Sequence, residues 1–235
     1  MNPYQKLLER KRSWTPVQTD AGKVAEGTEE TIHRALALRH MELPVGDFIT
    51  DALSSEVPDL ARELLVSNVK DEEKHDLALG YIANAYGTDA KAEKEALLLR
   101  EAWVSHPDHT ITKAMVAERA IFFVLLPFLR ANGDAGMRTV SADISRDEQV
   151  HVACNSLVHR ELGLDISPSL DKLRKATINW VMQPLVGEEK LGKKFWLKSS
   201  DRLMYEGKAP ELSFTQSARM PAFFEHSNVN LPQYA

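Results

Sequence analysis

The sequence is poor in cysteine and has no long apolar run. Cys154 is the only cysteine among 235 residues, which excludes an intramolecular disulfide and any zinc or iron–sulfur site built from several thiolates. No window approaches the roughly eighteen uncharged apolar residues of a membrane-spanning helix. The first residues also lack the basic and then apolar profile of a secretory signal peptide. We therefore expect a cytoplasmic protein with no membrane partner.

Signatures of nucleic-acid and nucleotide binding are missing as well. The net charge is −5 and no long basic run occurs, so nucleic acid is not an expected partner. Glycine-rich phosphate loops, internal repeats and low-complexity segments are absent, and strand-like alternation is hard to find. Because 43% of the residues are hydrophobic, a sizeable core can form. We expect a single domain over residues 1–235, with a core at about 28–165 and a C-terminal extension and tail at about 187–235.

Apolar residues at three- and four-residue steps predict a series of helices. We expect a bend in the second helix at Pro44. Beyond Gly187 the pattern is too weak to assign elements. The expected helices cover residues 4–14, 28–53, 58–86, 89–104, 110–129, 134–162 and 167–186.

Carboxylates and imidazoles interrupt the apolar stripes of four successive core helices. A buried, unpaired carboxylate is costly, so these interruptions need a shared partner, which a dinuclear metal site would supply. The interrupting residues are Glu42 on the first helix, Glu72 and His75 on the second, Glu118 on the third, and Glu148 and His151 on the fourth.

Two of the four helices carry the motif Glu-x-x-His, at Glu72–His75 and at Glu148–His151. Residues i and i+3 share a helix face, so carboxylate and imidazole can bind one metal. The motif is short and arises by chance, and we interpret a third match, Glu30–His33, in that way. The order and spacing are more specific, because a single glutamate precedes each motif by thirty residues, Glu42 in one case and Glu118 in the other.

This order is typical of di-metal carboxylate bundles. Carboxylates combined with two imidazoles suit iron or manganese and leave open positions for dioxygen. Glu29 and Glu30 remain alternatives to Glu42 as the first ligand, although spacing and the apolar stripe favour Glu42. Surface pairs of glutamate and histidine are the other explanation of the motifs, and they leave the stripes and matched spacings unexplained.

With these motifs, the chain resembles the radical-generating small subunit of class I ribonucleotide reductase, almost end to end. Trp14-Thr15-Pro16 with Asp20 resembles the Trp-x-Pro region of that family, and Arg146–His151 resembles its Arg-Asp-Glu-x-x-His motif. Phe223-Phe224-Glu225 followed by Tyr234 resembles its C-terminal ending. The resemblance implies an all-α fold with a ferritin-like four-helix-bundle core and additional N- and C-terminal helices. It also implies a homodimer that binds a large catalytic subunit.

The resemblance further implies a role for each matching residue. Asp147 would hold the imidazole of His75, and Trp14 would join the metals, His75 and Asp147 into a path for a radical. Tyr234 would pass the radical to the large subunit. The implied metal ligands are Glu42, Glu72, His75, Glu118, Glu148 and His151.

The chain departs from the family at the radical tyrosine, which usually lies four residues after the first histidine. Leu79 occupies that position, and Tyr81 should point away from the metal face. This substitution, with Glu42 where many members have aspartate, resembles the subgroup that uses a manganese–iron centre. The implied cofactor is a Mn/Fe or Fe/Fe centre, with Mn/Mn as a third option. The chain is also shorter than usual, as a compact, virus-encoded form acting in a host cytoplasm would be.

Three function classes follow from the pattern. The leading interpretation is an oxidoreductase, a ribonucleotide reductase small subunit that starts radical chemistry in its partner. The alternative is a stand-alone di-metal oxidase or oxygenase acting on an apolar substrate. The third is ferritin-like storage. Trp14, Asp147 and Tyr234 favour the first interpretation over the other two.

Overall fold

The computed structural model describes residues 2–54, 57–185 and 191–208, and within these ranges all regular structure is helical. The predicted tail residues Phe223–Glu225 and Tyr234 lie outside the described residues. The all-α prediction is thus confirmed. The α-helices are α1 Pro3–Leu8, α2 Glu29–Ala37, α3 Glu42–Leu53, α4 Asp59–Tyr86, α5 Ala90–Val104, α6 Thr110–Ala117, α7 Phe123–Asn132, α8 Ala135–Glu161, α9 Pro168–Met182 and α10 Lys193–Asp201.

A four-helix bundle of α3, α4, α6 with α7, and α8 forms the centre of the molecule. Helix α3 packs against α4 and α6, while α8 packs against α4, α6 and α7. Each helix of the bundle therefore contacts two others, and the side chains along one of its faces point into a shared interior. Helix α1 lies against α4 and α8, and α9 and α10 lie outside the bundle. These are the additional N- and C-terminal helices that the sequence predicts.

The first helix is shorter than expected and ends at Leu8 rather than at residue 14. Beyond it the chain runs across the bundle, where Lys11 contacts Asp71 of α4 and Trp14 contacts Asp147 of α8. A continued helix would hold these side chains on its own face, so the tertiary contacts outweigh the local helical pattern. Gly136 of α8 allows Thr19 of this segment to lie close to the helix, because a Cβ atom at position 136 would lie 2.2 Å from the Thr19 hydroxyl.

Two of the predicted helices are interrupted at unexpected places. The second breaks in a 3-10 turn, Leu38–Met41, and not at Pro44. Pro44 lies in the first turn of α3, where its missing N–H leaves no hydrogen bond unmade. The helix predicted at 110–129 contains a π-helical segment, Glu118–Phe122, between α6 and α7. Such segments are uncommon and often mark functional sites.

Helix α10 lies in a region where the sequence allowed no assignment. Its Trp196 is fully buried and packs edge-on against Phe128 of α7, with 5.5 Å between ring centroids. The Trp196 indole N–H donates to the carbonyl of Leu191 at 2.8 Å. In the described part of the chain, no helix combines the length and apolar character needed to cross a membrane.

Candidate metal centre

The six predicted ligands meet in the interior of the bundle. Each of them is at most 1% exposed. They come from four helical segments, so the cluster exists only when the bundle is assembled. Glu42 begins α3, Glu72 and His75 lie on α4, Glu118 begins the π-helical segment, and Glu148 and His151 lie on α8.

The first half of the cluster, which we call the His75 position, surrounds the Nδ1 atom of that imidazole. This nitrogen lies 3.4 Å from Glu148 Oε1 and 3.6 Å from both Glu42 Oε2 and Glu72 Oε2. These four residues offer ligand atoms that all lie within 4.8 Å of one another. Three carboxylates and one imidazole thus surround a common point.

The second half, the His151 position, surrounds the Nδ1 atom of the other imidazole. This nitrogen lies 2.9 Å from Glu72 Oε1, 3.7 Å from Glu118 Oε1 and 3.9 Å from Glu148 Oε2. Glu72 and Glu148 therefore turn one oxygen to each histidine, whereas Glu118 serves this half. Two shared and two terminal carboxylates are the donor set of a dinuclear site.

The hydrogen bonding of the cluster fits such a metal pair. Buried polar atoms are normally hydrogen-bonded, and leaving them without a partner is costly. Two divalent ions would satisfy these atoms and would balance the charge of four carboxylates. The buried atoms that have no hydrogen-bond partner include both carboxylate oxygens of Glu42, Glu72 and Glu148, Oε1 of Glu118, and Nδ1 of His75 and of His151.

The proton affinities show the same need for positive charge. Burial raises the pKa of Glu42, of Glu118 and of Glu148 above the ordinary value. Burial would also raise the pKa of Glu72, but the neighbouring His151 outweighs it and lowers that pKa to about 2. Burial would lower the pKa of His151, but the charge of Glu72 and further acceptors raise it to about 10. Without metal, the cluster thus holds protons in place of cations.

Each histidine is held from behind by an aspartate of the opposite Glu-x-x-His helix. Asp147 Oδ2 lies 3.2 Å from Nε2 of His75, and Asp71 Oδ2 lies 3.1 Å from Nε2 of His151. When these ring nitrogens donate to the carboxylates, Nδ1 of each ring is free to bind metal. The structure therefore places Asp147 beside His75, the imidazole that the resemblance implies it would hold.

Two lysines complete the environment of these aspartates, and the sequence analysis missed both. Lys11 pairs with Asp71. Lys74 lies 2.7 Å from Asp71 Oδ1 and 3.1 Å from Asp147 Oδ2, so one ammonium group links the two carboxylates. Burial would raise the pKa of Asp71 and of Asp147, but contacts with the histidines and other donors outweigh it and lower both. Both carboxylates are therefore ionised acceptors at neutral pH.

Trp14 meets the cluster from outside. Its indole N–H donates to Asp147 Oδ2 at 2.7 Å. Its ring stacks on the His75 imidazole, with 6.2 Å between centroids and 17° between planes. Lys74 lies over the same indole, 4.8 Å from its centroid. Trp14, Asp147 and His75 thus form a continuous line of contacts from the half-buried indole to the cluster of carboxylates and histidines.

Asn155 holds the outer oxygen of Glu118. Its side-chain N–H donates to Glu118 Oε2 at 2.7 Å, and it is fully buried on α8. The other oxygen, Oε1, is thereby directed to His151. Asn155 lies one turn after His151, so its position on the metal-facing stripe was the available sequence signal.

Other residues that the sequence singled out lie apart from the cluster. Glu30 pairs with Arg34 at 2.9 Å and its side chain is 66% exposed, so the structure brings Glu42 rather than Glu30 to the other ligands. Leu79 is buried on α4, one turn after His75. Tyr81 is half-buried on the same helix.

Comparisons with known proteins support the fold alone. No protein-family model and no curated protein sequence match the chain. Its fold is similar to a crystal structure from Bacillus halodurans whose protein is provisionally described as a class I ribonucleotide reductase. The two chains are 15% identical, with a TM-score of 0.60 over 86% of this chain and 88% of the other. This similarity confirms the predicted ferritin-like helical fold, and the buried carboxylate and histidine cluster within it fits a di-metal site.

Proposed function

We propose that this protein is the radical-generating small subunit of a class I ribonucleotide reductase. The observation that carries the proposal is the contact line from Trp14 through Asp147 to His75, which ends at the metal cluster. A bundle that only stored metal ions would have no need of an oxidisable indole hydrogen-bonded to Asp147, the carboxylate that holds the His75 ring.

The six buried residues would hold the cofactor, a Mn/Fe, Fe/Fe or Mn/Mn pair. When bound and oxidised by dioxygen or a reduced oxygen species, such a pair supplies one-electron oxidising power. The chain contributes the shared carboxylates of Glu72 and Glu148 and the terminal carboxylates of Glu42 and Glu118. Asp147 and Asp71 fix the rings of the two histidines, so that Nδ1 of each faces the cluster.

The same residues provide a route for a proton that accompanies electron loss from Trp14. The indole N–H of an oxidised tryptophan is acidic, and here it points at Asp147 Oδ2 at 2.7 Å. The carboxylate is ionised and is 1% exposed, so it can accept that proton locally. Electron and proton then leave Trp14 along two neighbouring contacts, the His75 ring and the Asp147 carboxylate.

Leu79 supports storage of the oxidising equivalent on the metals. A leucine side chain carries no group that one-electron oxidation could convert to a stable radical, and Leu79 lies one turn from His75 on the same helix. The proposal therefore includes a metal-centred oxidant in place of a tyrosyl radical.

The partner in this proposal is a large catalytic subunit that reduces ribonucleotides to deoxyribonucleotides. Tyr234 would connect Trp14 to that subunit, and the small subunit would act as a homodimer. The similarity to the Bacillus halodurans fold and the tail motif Phe223–Glu225 support this part of the proposal.

A stand-alone di-metal oxidase acting on an apolar substrate is the second candidate. Such an enzyme needs an apolar chamber at the metals. A cavity of about 730 Å³ lies beside Asp147, between residues 7–12 and 146–150, but charged side chains dominate its lining. Its lining includes Arg10, Arg12 and Arg146, which suit an apolar substrate poorly.

Reconstitution with a class I large subunit tests the proposal. We expect deoxynucleotide formation with the unaltered protein and its loss in Trp14→Phe and in Tyr234→Phe. Metal content and the metal-centre electron paramagnetic resonance signal should be retained in both variants. Trp180→Phe is the matched control, because Trp180 also donates its indole N–H to a carboxylate, Glu95, at 2.7 Å. Deoxynucleotide formation at the wild-type rate in both test variants would contradict the path through Trp14 and Tyr234. No deoxynucleotide formation with the unaltered protein would favour the stand-alone oxidase.

A further inference from the structure

Helix α10 contacts the π-helical segment that begins with the candidate metal ligand Glu118. The hydroxyl of Ser200 on α10 donates to the carbonyl of Ala120, in the middle of that segment, at 2.7 Å. Ser200 is 1% exposed. A buried side-chain hydroxyl therefore satisfies a backbone group two residues from a ligand.

Arg174 of α9 fixes the position of that hydroxyl. Its Nη1 donates to Ser200 Oγ at 2.5 Å. Its Nε and Nη2 donate to Asp171 at 2.9 and 2.8 Å, and Nη2 also donates to Asp201 at 2.8 Å. The guanidinium is fully buried. With the arginine as donor to its oxygen, the single hydroxyl hydrogen of Ser200 is directed to the Ala120 carbonyl.

A second contact joins the same two regions. Nε of Arg119, the residue after Glu118, donates to the carbonyl of Leu203 at 2.7 Å. Gly207 has a positive φ of 64°, and a Cβ atom there would lie 3.1 Å from the Arg119 guanidinium. The residues from Leu203 to Gly207 therefore pack closely against the Arg119 side chain.

These contacts matter because they reach the backbone and side chains of the segment that carries Glu118. π-Helical turns are rare and occur mostly as single bulges within α-helices. Here Ser200 and Leu203 contact the segment from α10 and the chain after it, while Asn155 of α8 holds the Glu118 side chain. Glu118 is the terminal ligand of the His151 position, whereas Glu42, the terminal ligand of the His75 position, lies on α3.

We propose that the C-terminal segment 193–207 positions Glu118, and with it the His151 metal position, through the relay Arg174–Ser200–Ala120. Ser200 is a positioning residue that acts on one of the two metal positions. This inference rests on the proposed di-metal centre, but it is independent of ribonucleotide reduction. It also assigns a purpose to α10, which has no ligand of its own among the six.

Binding of Mn²⁺ to the metal-free protein, followed by the electron paramagnetic resonance signal of the free ion, tests the relay. We expect two ions per chain in the unaltered protein. Ser200→Ala should lower the affinity for one of the two ions by about 10-fold, which is the effect typical of removing a group that supports a metal ligand. Ser200→Thr keeps the hydroxyl and should bind both ions as the unaltered protein does.

Ser199→Ala is the matched control. Ser199 is also buried on α10, but its hydroxyl donates to Phe195 within the same helix at 2.9 Å. The relay is wrong if Ser200→Ala binds both ions as Ser199→Ala does, or if Ser200→Thr is as impaired as Ser200→Ala. Fewer than two ions in the unaltered protein would instead contradict the di-metal centre itself.

Discussion

Asp71 and His151 lie eighty residues apart in the sequence and 3.1 Å apart in the structure. Asp147 and His75 form the reciprocal contact. Each aspartate directly precedes the glutamate of one motif and holds the histidine of the other. The two Asp-Glu-x-x-His helices therefore hold each other's histidines, and neither half of the candidate metal centre is complete on one helix.

We expect substitutions of the four glutamates to lower metal content by different amounts, because the glutamates face different halves of the cluster. Glu118→Ala should remove one of two bound ions, because Glu118 contacts the His151 position. Glu72→Ala should remove both, because its oxygens face both histidines. Elemental analysis after metal loading measures the content. Glu73→Ala is the control, since Glu73 is the exposed neighbour of Glu72. Full occupancy of both sites in Glu118→Ala would contradict the ligand assignment.

Lys74 should support both metal positions, whereas Lys11 should support one. Lys74→Met removes the cation that joins Asp71 and Asp147. It should therefore lower the affinity for both ions by about 10-fold. Lys11→Met removes a partner of Asp71 and should mainly lower the affinity for the ion at the His151 position. Mn²⁺ titration of each variant measures these affinities, with exposed Lys70→Met as control. Equal profiles for the Lys74 and Lys11 variants would show that Lys74 does not couple the positions.

We expect no tyrosyl radical beside the metals, since Leu79 occupies the position usual for that tyrosine. Electron paramagnetic resonance of the oxygen-exposed, metal-loaded protein should show metal-centred signals only. The variants Tyr81→Phe and Tyr4→Phe should leave the spectrum unchanged. Tyr4 is included because it is a buried tyrosine on α1. A sharp tyrosyl signal that disappears in either variant would contradict the prediction.

Asp171 should make stability depend on pH in the metal-free protein. Partial burial would raise its pKa, but hydrogen bonds with Lys175, Tyr205 and Arg174 outweigh burial and lower that pKa to about 2. The unfolded value is about 3.9. A lowered folded pKa adds stability above the unfolded value, and that stability disappears as pH falls from about 4 to 2.

Urea midpoints of the unaltered protein and of Asp171→Asn measure this contribution. The difference between them should be largest at neutral pH and should shrink as the pH approaches 2. Asp59→Asn changes a carboxylate that is 96% exposed and serves as control. A difference that stays constant across this pH range would mean that the ionised Asp171 contributes nothing.

The metal motifs were predictable because their spacing reflects helix geometry. Residues i and i+3 share a face wherever a helix forms, so Glu72 with His75, and Glu148 with His151, are readable pairs. The sequence also carried a signal for Asp71, because an aspartate directly precedes the glutamate of both motifs. The path of residues 9–28 was not predictable, because Lys11 and Trp14 follow partners on α4 and α8 rather than local helical preference.

The sequence alone determined the helical class, and it predicted the four helices that carry the candidate ligands and the residue types of those ligands, because these depend on periodicities within one helix. Tertiary structure decided which oxygen faces which histidine, how Lys74 links two aspartates, and how Ser200 reaches the Ala120 carbonyl. Each of these relationships includes a partner from a distant part of the chain, as Asp147 is for Lys74. Their distances depend on how helices pack, and packing leaves no regular spacing in the sequence.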